Sequence, residues 1–505
     1  MIGARTLASC CTAGLLVCAL AGAGRASDTL CLSDSLLTVV VSTGDGSVAG
    51  LSARYARGRR SGAVADYADP GDHRPLLQFT LGGDTGLALR ASQVRRLQDD
   101  KIAILELTQD SLAPGVALET AWRLIKGTYL FEVRTVLRGD SARAFARRWP
   151  LELRLTCGPG FTGAGGEGFA AGRSVPDWVM VQQGPARLLP GRDSSADTIG
   201  PGTWVGPRSR FFALLARPVG DNIAVGPVDS AGGRVLTPLG PDRTSLSMRF
   251  YAGPIDRCGS GPAPVRRLLF STLWFWMRWL SLGMLYLLHW LIGLVRVPGL
   301  AVMLLSVCVK VLMYPLTHVA EAWQRQVNET RSRLAPLLAE VARQYRGEER
   351  HRRTLEVYRR EGVSTLYTFR SLASAAIQIP IFFAAYHMLH ENVELAGVGF
   401  LWVRDLAFPD HAVLLPFALP FFGRYLNLLP LAMTALTLLT SWIHHDRSLS
   451  PELHRRQQLN LYLMALAFLA LFYTFPAGMV LYWTTNNLLA LVVAVARRTR
   501  RAPLT

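Results

Sequence analysis

No two of the seven cysteines stand at CxxC spacing, and none joins a histidine cluster. A metal site of that kind is not expected. Lysine is almost missing: Lys101, Lys126 and Lys310 are the only three, so arginine supplies nearly all positive charge. Charged residues make up 18%, below the usual quarter, and mean hydropathy is positive at +0.23. These values exclude a disordered chain and argue against an ordinary soluble enzyme. Residues 28–260 contain no catalytic carboxylate pair and no triad signature. What is present is 505 residues with a net charge of +18. Such a balance suits nucleic acid, anionic lipid or positive-inside loops, and its distribution favours membrane.

A short basic start, Met1 to Arg5, precedes the apolar, small-residue stretch Thr6 to Gly24. Residues 1–27 read as a signal peptide or a signal-anchor span, and either one exports the residues after it. Residues 28–260 lack a long apolar run. They carry short β-rich stretches: Leu36–Val41, Leu76–Leu81, Ile102–Thr108, Val116–Ile125, Tyr129–Leu137, Leu151–Thr156, Phe211–Leu215 and Ser245–Tyr251. Turns such as Gly44-Asp45-Gly46 separate them, which predicts an all-β sandwich. Gly158 to Gly172 reads as a loop. If this region is exported, a disulfide between two of Cys31, Cys157 and Cys258 is compatible with it, and one thiol is left over.

Beyond Gly261-Pro262-Ala263-Pro264 the composition turns apolar. Spans are expected at about 298–317, 371–390, 426–443, 459–475 and 478–496. The loop 318–370 carries 11 Arg and 7 Glu, whereas 391–411 carries Arg404 against Glu391, Glu394, Asp405 and Asp410. The tail 497–505 is purely basic. Loop charge therefore places 318–370 and the C-terminus inside and 391–411 outside. A span over Leu268–Val295 would break that parity. Its tryptophans and Arg278 fit an amphipathic interfacial helix within 261–297 instead. Leu414 to Phe422, broken by Pro416 and Pro420, is expected as a second interfacial segment. The stretch 318–361 reads as two helices turning at Gly347, with Leu334, Leu337, Leu338 and Val341 as an apolar stripe that Leu355 can face.

Met313-Tyr314-Pro315-Leu316-Thr317, Gln378-Ile379-Pro380-Ile381-Phe382 and Phe475-Pro476-Ala477-Gly478-Met479-Val480-Leu481-Tyr482-Trp483 stand at the span boundaries. Tyr251-Ala252-Gly253-Pro254 closes the β region. In this order, with the Arg-rich hairpin, they resemble the YidC/Oxa family of membrane protein insertases, in the Gram-negative bacterial form with a large periplasmic domain. The resemblance implies a polytopic α-helical membrane protein: a five-helix insertase core in the bacterial inner membrane, an N-terminal signal or anchor, and an all-β sandwich-like periplasmic domain. It implies a hydrophilic groove open to the cytoplasm and to lipid. Nascent membrane proteins and the lipid bilayer are the implied partners, with the Sec translocon and ribosome as further candidates and no DNA. It implies no cofactor, metal or ATP. An envelope assembly factor without insertase activity and a solute transporter are the competing readings. A transporter should show repeats or several intramembrane charges.

The expected substrate-contacting residues are Lys310, Ser306, Thr317, Tyr314, Gln378, Trp483, Thr484 and Asn487. Lys310 lies mid-span, where a charge facing lipid costs about 2.5–3.5 kcal/mol. None of the five spans contains an Asp or Glu, so a wet cavity is the expected surrounding and snorkelling the alternative. Ser306, Lys310, Met313 and Thr317 share one helix face. For Ser306 and Thr317 the alternative is a bond to their own helix carbonyls, and for Gln378 it is satisfying backbone groups near Pro380. Thr484 and Asn487 share a face by i, i+3 spacing. Family members normally carry Arg at the position of Lys310. After Glu361-Gly362-Val363 they carry an Asn-Pro turn, where this chain has Ser364-Thr365-Leu366-Tyr367.

Overall fold

The computed structural model describes residues 29–499 except 44–45, 58–59, 68–75, 82–91, 157–176, 183–185, 190–196, 229–232, 241–242, 257–261, 263–264, 272, 365–372, 420–421 and 444–450. The expectations for the signal segment, the glycine-rich loop, most of the linker, Cys157, Cys258, the end of the tail and the loop after Ser364 lie outside these residues. The chain divides into a β unit, which runs to Ser271 and also takes in Glu391–Glu394, and a helical unit of Thr272–His390 and Leu395–Thr505.

Alternating apolar residues build the β unit. Val116–Ile125 buries every second side chain, as does Leu151–Leu155. A strand's period of two turns such a pattern into one dry and one wet face. One nine-stranded sheet runs Thr29–Ser33, Leu37–Ser42, Val48–Arg57, Leu77–Leu81, Leu151–Leu155, Arg234–Pro238, Ile223–Val228 and Asp197–Ile199, with Arg60–Asp66 also paired to Val48–Arg57. The other runs Arg187–Leu188, Asp177–Val181, Trp204–Arg208, Phe212–Pro218, Ser245–Pro254, Leu130–Arg138, Val116–Ile125, Ile102–Ala113 and Gln93–Gln98. Phe79 of the first sheet meets Trp122 of the second edge-on at 6.2 Å, and Phe131 stacks on Phe250 at 4.9 Å. This is a sandwich core, and each of the eight expected strands lies in it. A short helix α1 (Ala142–Arg148) follows the strand Leu130–Arg138.

The Tyr251-Ala252-Gly253-Pro254 motif has a packing cause. A Cβ on Gly253 would lie 2.7 Å from Tyr129 Cβ, so only glycine lets that ring sit on the strand. Tyr251 donates its hydroxyl to the Pro254 carbonyl at 2.6 Å. Burial, with Tyr129 and Asp256 nearby, pushes its phenol well above the ordinary value of 10.0. Past Pro262 the chain still packs on this unit. Val265, Leu268 and Phe270 are buried, and Arg208 donates to the Leu268 carbonyl at 3.0 Å.

The helical unit holds α2 (Phe275–Val295), α3 (Pro298–Gln344), α4 (Gly347–Arg360), α5 (Ala373–His390), α6 (Leu428–Ile443), α7 (Pro451–Phe472) and α8 (Ala477–Thr499). Among the described residues α2, α3 and α8 are long and apolar enough to cross a membrane, by length and composition. Leu428–Thr440 and Gln458–Phe472 are shorter apolar helices. Left-handed Arg296 (φ 62) ends α2, and Pro298 opens α3 two residues later. Proline suits a first helical turn because its missing N–H has no partner there. At 47 residues α3 is roughly 70 Å long, more than twice a ~30 Å hydrocarbon core. Its second half therefore projects beyond the apolar part.

That projection and α4 form the helical hairpin. Tyr345 and Arg346 make the turn, and Gly347 takes φ 60. Arg333 pairs with Glu361 at 3.5 Å, closing the hairpin. Leu334 is fully buried, whereas Leu337 is 38% exposed, so the expected stripe is buried at one end and open beside it.

The described part of the second apolar segment, Leu414 to Phe422, does not form a helix. Val413–Leu419 and Gly423–Leu426 pair as an antiparallel hairpin. Pro416 disfavours a helix interior, and a strand tolerates proline at an edge. Buried polar groups anchor this hairpin. Asp410 accepts the Leu429 N–H at the start of α6 at 2.6 Å. Asn427 donates to the Tyr473 carbonyl at 2.6 Å and accepts the His411 N–H at 2.8 Å.

Candidate functional site

Lys310 is half-buried on α3. Its Nζ donates to the backbone carbonyl of Asn486 on α8 at 3.0 Å. One turn earlier Ser306, fully buried, donates to the Tyr482 carbonyl at 3.0 Å. Two residues at i, i+4 on one helix thus engage carbonyls at i, i+4 on another. Each carbonyl has a second lone pair, so these bonds coexist with the α8 helix ladder. The small Ser306 side chain also allows the close approach that apolar bundles need. Sequence reasoning offered Lys310 a cavity or snorkelling, and the structure supplies a backbone acceptor.

The other expected residues divide by what they touch. Thr317 bonds back to the Met313 carbonyl at 3.1 Å and Thr484 to Val480 at 2.7 Å, each within its own helix. Asn487 donates to Thr437 Oγ1 at 2.7 Å, tying α8 to α6. Trp483 meets Phe382 at 5.4 Å and Phe472 at 5.6 Å, an aromatic cluster joining α5, α7 and α8. Tyr314 is 59% exposed, and Gln378 is also exposed. Ser306 and Lys310 are brought together by their bonds to α8, while Trp483 and Asn487 pack against other helices.

The loop between α5 and α6 was not foreseen as part of this arrangement. Its Leu406 and Phe408 carbonyls accept the Gly478 and Ala477 N–H groups at 2.8 Å each. The first turn of a helix leaves such amides without intrahelical partners. A Cβ on Gly478 would sit 3.1 Å from Leu406 oxygen, which explains the glycine of Phe475-Pro476-Ala477-Gly478. Asn427, directly ahead of the apolar helix α6, is the sequence signal that could have found the Asp410–Asn427–Tyr473 anchor. Among the described residues no group of three or more His, Cys, Asp or Glu is placed to hold a metal ion.

These features define a polytopic helical membrane protein with a β-sandwich module and one lysine set among apolar helices. Residues 290–502 match the family model described as 60Kd inner membrane protein. The membrane protein insertase YidC of Laribacter hongkongensis is 33% identical over 275 residues, 53% of this chain and 45% of that protein. That of Syntrophobacter fumaroxidans is 29% identical over 255 residues, 50% and 43%. A crystal structure of active YidC insertase with its first transmembrane domain resolved is 15% identical, covers 93% of both chains and has a TM-score of 0.37. Over residues 290–502 the chain is similar to the 60Kd inner membrane protein family, and the relatives it matches are YidC membrane protein insertases. The chain spans about half the length of the curated relatives it matches.

Proposed function

We propose that this protein is a membrane protein insertase and chaperone that places nascent inner-membrane proteins in the bilayer, alone or with the Sec translocon. The observation that carries this reading is Lys310. A cation held at mid-span by a carbonyl, partly open, offers attraction to an acidic hydrophilic segment at a depth where lipid offers none. Tyr314, Gln378 and Thr317 present polar surface to that segment. Ser306, Trp483 and Asn487 hold the helices that frame it, and Thr484 lies on the same face of α8 as Asn487. No covalent step is needed, because the work is lowering the polar cost of crossing. In proteoliposomes, the purified protein is expected to bring a small single-span substrate to a protease-protected state. Failure with a substrate that inserts through a relative under the same conditions would favour the envelope assembly factor.

In this reading the β unit is periplasmic, and the α3–α4 hairpin and C-terminus are cytoplasmic. Helix α2 then lies in the outer interface. Trp276, Trp279, Tyr286 and Trp290 are exposed along its whole length, and Ser281, Met284, Leu285, Leu288 and Leu291 are buried on the other side. A spanning helix concentrates such aromatics at its two ends, whereas a helix lying flat spreads them along one face. In intact cells, impermeant thiol reagents should label single cysteines placed in the β unit and at 391–411, and spare those in 318–361. Labelling of the hairpin from outside would reverse the topology.

A further inference from the structure

We propose that the strand Gln93–Gln98 is a docking edge for an extended acidic segment of another polypeptide, which it takes up as an added antiparallel or parallel strand. Among the described residues this strand ends its sheet, pairing with Ile102–Ala113 on one side. All six of its residues are exposed, including Val94 at 47% and Leu97 at 41%. None of its residues belongs to the buried core. An edge strand presents backbone donors and acceptors that template a further strand.

The side chains decide which strand. Gln93-Val94-Arg95-Arg96-Leu97-Gln98 reads nearly the same in both directions. Pairing with a second copy in the symmetric antiparallel register would set Arg95 opposite Arg96 twice. Like charges directly opposite destabilise a strand pair, so self-association is disfavoured. Arg95 already faces Glu106 across the ladder, whereas Arg96 faces the buried Leu105. An incoming segment of pattern apolar–acid–acid–apolar puts carboxylates beside both arginines and apolar groups beside Val94 and Leu97. The near-palindrome lets it do so in either direction. The edge is thus protected against its own copies and selective for acidic chains.

The test uses the full chain in detergent micelles and fluorescein-labelled peptides with a Thr-Val-Glu-Glu-Leu-Thr core. Comparison peptides carry Lys-Lys in place of Glu-Glu, or N-methyl groups on the backbone of the acidic core. The acidic peptide is expected to bind about tenfold more tightly than the basic one. N-methylation should remove binding, because strand addition needs the backbone N–H groups. The double variant Arg95→Glu/Arg96→Glu should reverse the charge preference, and Arg95→Lys/Arg96→Lys should keep it. Equal binding of acidic and basic peptides, binding that survives N-methylation, an acid preference that survives charge reversal, or no binding at all would each overturn the proposal.

Discussion

Replacing Lys310 by glutamate is expected to abolish insertion of substrates with acidic exported ends. Lys310 Nζ donates to the Asn486 carbonyl, so a carboxylate there would set two acceptors against each other with no proton between them. The Asn486 carbonyl would keep only its bond within α8, and incoming carboxylates would meet repulsion at the depth where they need attraction. Insertion of acidic tails should fall more than about a hundredfold. Lys310→Ala removes attraction without adding repulsion, so acidic tails should drop about tenfold and neutral tails less. Lys310→Arg keeps the cation and offers more donors to the same carbonyl, so activity should stay within about twofold. Protease protection of reconstituted substrates with matched acidic and neutralised tails reads all three variants. Equal insertion by the Glu and Arg variants on both tails would reduce Lys310 to a packing residue.

The sequence made Lys310 conspicuous because the apolar spans hold so few ionisable groups. Its partner was not legible, since a backbone carbonyl carries no sequence signature. Asn486 supplies the oxygen that any residue would supply there. Ser306 illustrates the same limit. Spacing placed it on the Lys310 face, and only the position of α8 shows its hydroxyl spent on the Tyr482 carbonyl. The β strands were readable where one face is buried, as in Val116–Ile125, because a two-residue period survives in the sequence. Gln93–Gln98 was not readable, since with both faces exposed it needs no alternation. Leu414 to Phe422 looked interfacial by composition, but its hairpin depends on Asp410, Asn427 and Tyr473 lying close together across 63 residues of chain. Trp483 has the residue type of an interface belt, and its ring contacts with Phe382 and Phe472 exist only after three helices have packed.

Gly299→Val is expected to destabilise the helical unit and to impair every substrate alike. Gly299 lies in the first turn of α3, beneath the ring of Phe400 from the α5–α6 loop. A Cβ there would overlap Phe400 Cγ and fall 2.6 Å from its Cβ. Those atoms lie near the loop backbone, so the ring cannot swing aside as a flexible side-chain end would. The loop itself is fixed. Phe400 and Val403 exchange backbone bonds at 2.9 and 3.0 Å, and Asp405 accepts the Gly397 and Ala407 N–H groups at 2.8 Å. Overpacking of this kind costs about 1–3 kcal/mol, and the rigidity on both sides argues for the upper end. Displacing the loop would also pull Leu406 and Phe408 from the first amides of α8, the helix that holds Lys310. Thermal unfolding in detergent micelles should show the loss. Phe400→Ala in the same chain should return part of it, with a coupling of about 1 kcal/mol or more in the double-mutant cycle. Acidic and neutral tails should lose insertion in parallel, unlike the split expected for Lys310→Ala. A Gly299→Val protein with unchanged melting would mean that the loop yields, and that α8 does not depend on it.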